Sequence, residues 1–284
     1  MRQWVVQQLG EHSPANLARA RKVTKAVRQW WSHQQTDAYV LSFPGCGRTW
    51  LTVLMGKAIV EERGLGDANP ARITELARLG KHVPRIEVRH DASPQLRRPE
   101  EIERDKSRFA KKDVVLLVRD PRDAIISYYF EASKRRGRFS GTAGEFLRHP
   151  IGGLDSMLTY YNVWAENRNV PKRFYVVRYE QLHADTVTEL DHVMRTVGVD
   201  ASRASLERAV EYGRFDNMRK IEQKGFDRPE LDRHKAGDTE SFKARKGKVG
   251  GYREYLSPDD VEYLNRRIAD TLSPFYSYYL TPPA

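Results

Sequence analysis

One cysteine, Cys46, is present in 284 residues, so no intrachain disulfide can form and a reducing compartment is the expected setting. No stretch approaches the roughly 20 apolar residues of a membrane-spanning helix. The opening residues, MRQWVVQQLGEHSP, lack the apolar core of roughly 7–15 residues that marks a secretory signal. The sequence therefore predicts a cytoplasmic protein with no membrane span. It also has no HExxH motif, no EF-hand pattern and no cluster of acidic ligands, so no metal is expected. Internal repeats and low-complexity segments are missing too, which excludes solenoid and linker architectures.

What is present is a folding composition with a basic excess. Hydrophobic residues make up 39% and charged residues 31%, enough for a core under a soluble surface. Lysine and arginine number 49 against 38 acidic residues, a formal charge of +11, which favours an anionic partner. The basic residues are spread along the chain and no nucleic-acid motif accompanies them, so a nucleic-acid partner is not expected.

The chain is organised around residues 38–50, AYVLSFPGCGRTW. Its first half is short and apolar with β-branched and aromatic residues, the pattern of a buried strand. Pro44 and Gly45 break that strand. Leu51, Leu54, Met55, Ala58 and Ile59 then recur at helical spacing. A strand, a glycine turn and a helix start form an anion site, because the turn's backbone N–H groups and the positive end of the helix point at one spot. Arg48 and Thr49 add a cation and a hydroxyl there.

Further strands are predicted over 85–89, 113–118 and 173–178, alternating with helices over 16–32, 154–168, 186–197, 202–212 and 216–223. Asp120, Pro121 and Asp123 are the cap, first-turn proline and acidic residue of a helix that follows the third strand. Residues 142–145 read as a capping box. This alternation predicts an α/β protein: one P-loop-like, three-layer domain over 1–284, with a central parallel sheet flanked by helices. Residues 1–36 would be an N-terminal helical extension and 225–251 a lid. Ligands of such sheets bind at the strands' carboxyl ends. The PGCGRTW turn, His90, the RDPRD turn and Tyr179 all directly follow strands, so they are expected on one edge.

Four separated blocks, SFPGCGRTW, PRIEVRH, VRDPRDAIISYY and RKGKVGGYREYL, make the chain resemble the cytosolic-type sulfotransferases that use 3′-phosphoadenosine 5′-phosphosulfate (PAPS). The resemblance covers most of residues 38–255. It implies sulfuryl transfer from PAPS to a hydroxyl or amine of a small-molecule or glycan acceptor, leaving adenosine 3′,5′-bisphosphate. By the same resemblance, Pro44, Gly45, Cys46, Gly47, Arg48 and Thr49 hold the 5′-phosphosulfate. Arg119 and Ser127 take the 3′-phosphate with Arg245, Lys246 and Gly247 of the lid. Trp50 and Phe215 sandwich the adenine, Tyr179 contacts its edge, Met218 is a further cofactor-binding residue, and His90 is the base.

In one place the chain departs from the family pattern. The family loop, usually YPKSGTTW, carries a lysine where this chain has Gly45. Arg48, three residues later, is the replacement cation, placed as the lysine of a GK[ST] loop end is placed. Arg48 and His90 are therefore the expected catalytic residues. Two alternatives use the same residues: a P-loop kinase, and a protein that binds the bisphosphate with little or no transfer.

Overall fold

A computed structural model of the chain describes residues 14–226, 242 and 249–281. The chain divides into two compact units, Met1–Thr36 and Asp37–Ala284. In the first, helix α1 spans Pro14–Gln35, longer at both ends than the predicted 16–32.

The second unit holds a four-stranded sheet in the order β2-β1-β3-β4, with every neighbouring pair parallel. The strands are β1 (Ala38–Ser42), β2 (Ile86–Arg89), β3 (Asp113–Val118) and β4 (Arg173–Arg178). β1 and β3 are buried at every position. That is why both read as near-continuous apolar runs: a central parallel strand is covered on both faces. β2 and β4, at the edges, keep half-buried positions, matching their mixed sequences.

The flanking helices are α2 (Arg48–Glu62), α3 (Pro121–Phe130), α4 (Leu154–Glu166), α5 (Thr186–Thr196), α6 (Arg203–Tyr212), α7 (Phe215–Lys224) and α8 (Pro258–Thr271). α3 starts where its sequence says it should. The Asp120 side chain accepts the N–H of Arg122 and Pro121 occupies the first turn. The capping box at 142–145 also forms, between Thr142 and Glu145.

The chain runs from β1 outward to β2 on one side, then returns to place β3 on the other side of β1. That reversal makes the crevice past the ends of β1 and β3 the natural ligand site of the sheet. The core beneath it is dense in aromatics: Phe43 meets Tyr128 edge-on at 5.7 Å between ring centroids.

Candidate active site

Past the end of β1 the backbone turns through Gly45 and Gly47, at φ 88° and 91°. Both lie in the left-handed region that side chains disfavour. Space forbids a side chain as well. A Cβ on Gly45 would fall 2.1 Å from the Ala124 carbonyl oxygen, and one on Gly47 would fall 2.7 Å from the Tyr179 ring. The turn therefore presses its backbone against α3 on one side and against Tyr179 on the other. Gly47 is the N-cap of α2, and the first intrahelical bond runs from the Leu51 N–H to the Gly47 carbonyl. The N–H groups of the helix's first turn, before Leu51, face outward from its positive end, the arrangement that receives anions.

These elements enclose a cavity of about 520 Å³ at the strands' carboxyl ends, within the usual range for a small-molecule site. Pro44, Gly45, Gly47, Arg48, Thr49 and Trp50 line it from the β1 turn. His90 enters from the end of β2, Arg119 from the end of β3 and Tyr179 from the end of β4. Ser127 joins from α3, and Phe215 and Met218 from α7. Arg245, Lys246 and Gly247 lie outside the described residues.

Cys46 alone among the turn residues does not line the cavity. Its side chain is fully buried and its thiol lies 3.3 Å from the Tyr161 hydroxyl. Burial pushes that thiol up to about 12. What Cys46 can offer a ligand is its backbone, because its side chain belongs to the core. The Tyr161 hydroxyl in turn accepts the Arg119 N–H at 3.0 Å and donates to the Arg119 carbonyl at 2.9 Å. One buried phenol thus fixes the backbone after β3 and touches the turn after β1.

The cationic side of the site is built on aromatic rings. The Arg119 guanidinium lies 4.3 Å from the centre of the Tyr179 ring and donates to the Gly45 carbonyl at 3.3 Å. Asp123 lies 3.6 Å from the same guanidinium. Tyr179 meets Trp50 edge-on at 5.8 Å, and the Trp50 indole N–H donates to the Gly213 carbonyl at 2.8 Å. That bond ties α2 to the turn before α7, the helix that carries Phe215 and Met218. Burial raises the Tyr179 phenol above its ordinary value, against the opposing pull of Arg119, so it is neutral at physiological pH.

His90 sits 2.7 Å through Nδ1 from the Ser42 carbonyl. A carbonyl only accepts, so Nδ1 carries the proton, and in the neutral ring the basic lone pair is on Nε2. Asp91, the next residue, is buried and pairs with Lys106 at 2.8 Å and with Arg108. Asp120, at the end of β3, is engaged by Arg122, whose guanidinium lies 3.1 Å away.

Three cavity-lining features escape a reading by motif. Asp123 accepts the N–H groups of Gly250 at 2.7 Å and Tyr252 at 3.1 Å, holding that stretch of chain against α3. Arg135 and Glu222 form an ion pair in the wall. Phe130 and Tyr255 meet at 4.9 Å. Only Asp123 carried a local signal, its place in the first turn of a helix. Among the described residues, no group of three His, Cys, Asp or Glu side chains is placed to hold a metal ion.

The site and sheet together define an α/β protein with a glycine turn at a helix N-terminus and a cavity at the strands' carboxyl ends. Its sequence matches the sulfotransferase domain model over residues 35–275, and the chain belongs to that family. It is 26% identical to cytosolic sulfotransferase 16 of Arabidopsis thaliana over 79% of this chain and 72% of that one. Mouse sulfotransferase 4A1 is 31% identical over 35% of this chain, and that match spans 36% of the relative's own length. Among solved structures, mouse sulfotransferase SULT7A1 complexed with PAP superposes with a TM-score of 0.58, covering 84% of each chain at 18% identity. Retinol dehydratase in complex with androsterone and PAP gives 0.59 at 16% identity, covering 84% of this chain and 80% of that one.

Proposed function

We propose that the protein transfers a sulfuryl group from PAPS to a hydroxyl or amine of a small-molecule or glycan acceptor. One observation carries the reading. The glycine turn with Arg48, His90, and Arg119 with Ser127 come from three separate parts of the chain and line a single cavity.

The residues present fit such a nucleotide. Gly45 and Gly47, having no Cβ, let the turn pack against Ala124 and Tyr179 and so hold its backbone N–H groups at the cavity. Arg119, fixed between Tyr179 and the Gly45 carbonyl, presents a planar cation suited to a phosphate, with the Ser127 hydroxyl on the adjoining helix. Trp50 and Phe215 offer flat apolar faces to a purine, and Met218 fills beside them. PAPS, when bound, supplies the transferable group.

The chain's own part is to orient, stabilise and accept a proton. Sulfuryl transfer resembles phosphoryl transfer, in which positioning and cationic stabilisation dominate. Arg48, at the positive end of α2, takes the stabilising role that the family lysine has elsewhere. His90, its Nδ1 committed to Ser42, takes the acceptor's proton at Nε2.

The engagement of Asp120 by Arg122 and by the start of α3 supports this reading over a P-loop kinase, which would need that carboxylate for Mg²⁺. The test is calorimetric titration with adenosine 3′,5′-bisphosphate, paired with a transfer assay across hydroxyl, amine and glycan acceptors. Binding with transfer supports the proposal. Binding without transfer to any acceptor leaves a bisphosphate-binding protein, and Mg²⁺-dependent ATP turnover leaves a kinase.

A further inference from the structure

Four residues spaced by four, Asp123, Ser127, Glu131 and Arg135, line the cavity along α3 and its continuation. A regular helix cannot keep such a row in line. At 3.6 residues per turn, positions four apart drift by about 40° at each step. Residues Glu131–Arg135 instead form a π-helical turn, in which the Arg136 N–H reaches back to the Glu131 carbonyl at 3.0 Å. The wider turn takes up part of the drift and brings Arg135 back to the face Ser127 occupies. Such turns recur at functional sites.

The turn delivers Arg135 to Glu222 on α7, 2.9 Å away, and their side chains are 3% and 0% exposed. The two helices they join are the walls of the cavity, α3 carrying Ser127 and α7 carrying Phe215 and Met218. A buried ion pair is costly to separate, because neither charge finds water if its partner moves. An apolar contact in the same place would slide without such a cost. The pair therefore pins the distance between the walls.

We propose that Arg135 and Glu222 are positioning residues that set the width of the nucleotide slot, and through it the affinity for adenosine 3′,5′-bisphosphate. The proposal rests on the reading of the cavity as that nucleotide's site.

Calorimetry with adenosine 3′,5′-bisphosphate tests it on the full chain, comparing wild type with Glu222→Gln and with the volume-matched neutral pair Arg135→Met/Glu222→Leu. The neutral pair keeps the test open if the single variant unfolds, since replacing a buried pair by apolar groups usually preserves folding. The expected result is a neutral pair with near-wild-type thermal unfolding and at least tenfold weaker bisphosphate binding. In turnover, the KM for PAPS should rise while kcat at saturation stays within about threefold, because neither residue is assigned to the reacting atoms. Folded variants that bind within twofold of wild type would overturn the proposal. So would a fall in kcat at unchanged KM, or unfolding of the neutral pair. A wild type that does not bind the bisphosphate would instead refute the reading of the cavity itself.

Discussion

A Cβ placed on Gly45 would stand 2.1 Å from the carbonyl oxygen of Ala124, inside any tolerable contact. The residue's φ of 88° adds strain for any side chain. The position that holds lysine in the family motif is thus closed here by the backbone of α3. Gly45→Lys is expected to lose about 2–6 kcal/mol of stability, the sum of overpacking and positive-φ strain, and to give no gain in turnover. Gly45→Ala should lose a similar amount, which separates the steric cause from the charge. Thermal unfolding of both variants, with rates measured on the folded fraction, checks this. A stable and faster Gly45→Lys enzyme would contradict it.

With position 45 closed, the proposed leaving-group cation is Arg48. Removing one such stabilising group typically costs about 10²–10³ in kcat, and Arg48→Ala should fall in that range. Arg48 is half-buried in the first turn of α2 rather than packed in the core, so unfolding temperature should change little. Arg48→Lys should recover part of the rate, because the charge returns without the planar fork.

His90 is tested by separating binding from chemistry. Loss of a general base costs about 10²–10⁴, so His90→Ala should lose transfer by that factor and still bind adenosine 3′,5′-bisphosphate within about threefold of wild type. Parallel calorimetry and single-turnover measurements read the two effects apart. Equal losses in both would make His90 a structural residue.

The lone thiol gives a prediction with a definite pH sign. Burial raises Cys46 to about 12, so at pH 8 the folded protein holds it almost wholly as the unreactive thiol, and only in the unfolded chain does its titration return to the ordinary range near 8.5. Iodoacetamide at pH 8 should leave native protein unmodified for hours and alkylate it within minutes in denaturant. Fast native labelling would place the thiol in the cavity rather than under Tyr161.

How much of this was legible in the sequence follows from how local each feature is. β3 and β4 match their predicted bounds of 113–118 and 173–178 because apolar runs and flanking breakers are read residue by residue. The sheet edge was legible too: His90, Arg119 and Tyr179 end strands, and parallel strands put such residues together. The direction of the Cys46 side chain was not, since within a tight turn one dihedral decides between core and ligand. Gly45 read as a missing lysine, and its contact with Ala124 depends on a residue 79 positions away. Arg135 and Glu222 were invisible for the same reason, being 87 residues apart and joined through a π-turn that no spacing rule announces.

The most direct measurement is release of adenosine 3′,5′-bisphosphate from PAPS, coupled to mass-spectrometric detection of sulfated product, across a panel of hydroxyl, amine and glycan acceptors with wild type, Arg48→Ala and His90→Ala. Wild type is expected to release nucleotide stoichiometrically with sulfated product on at least one acceptor class. Both variants should remain folded, with transfer cut by about 10² or more. Tight binding of adenosine 3′,5′-bisphosphate with no sulfated product from any acceptor, or product formed equally well by Arg48→Ala, would contradict it.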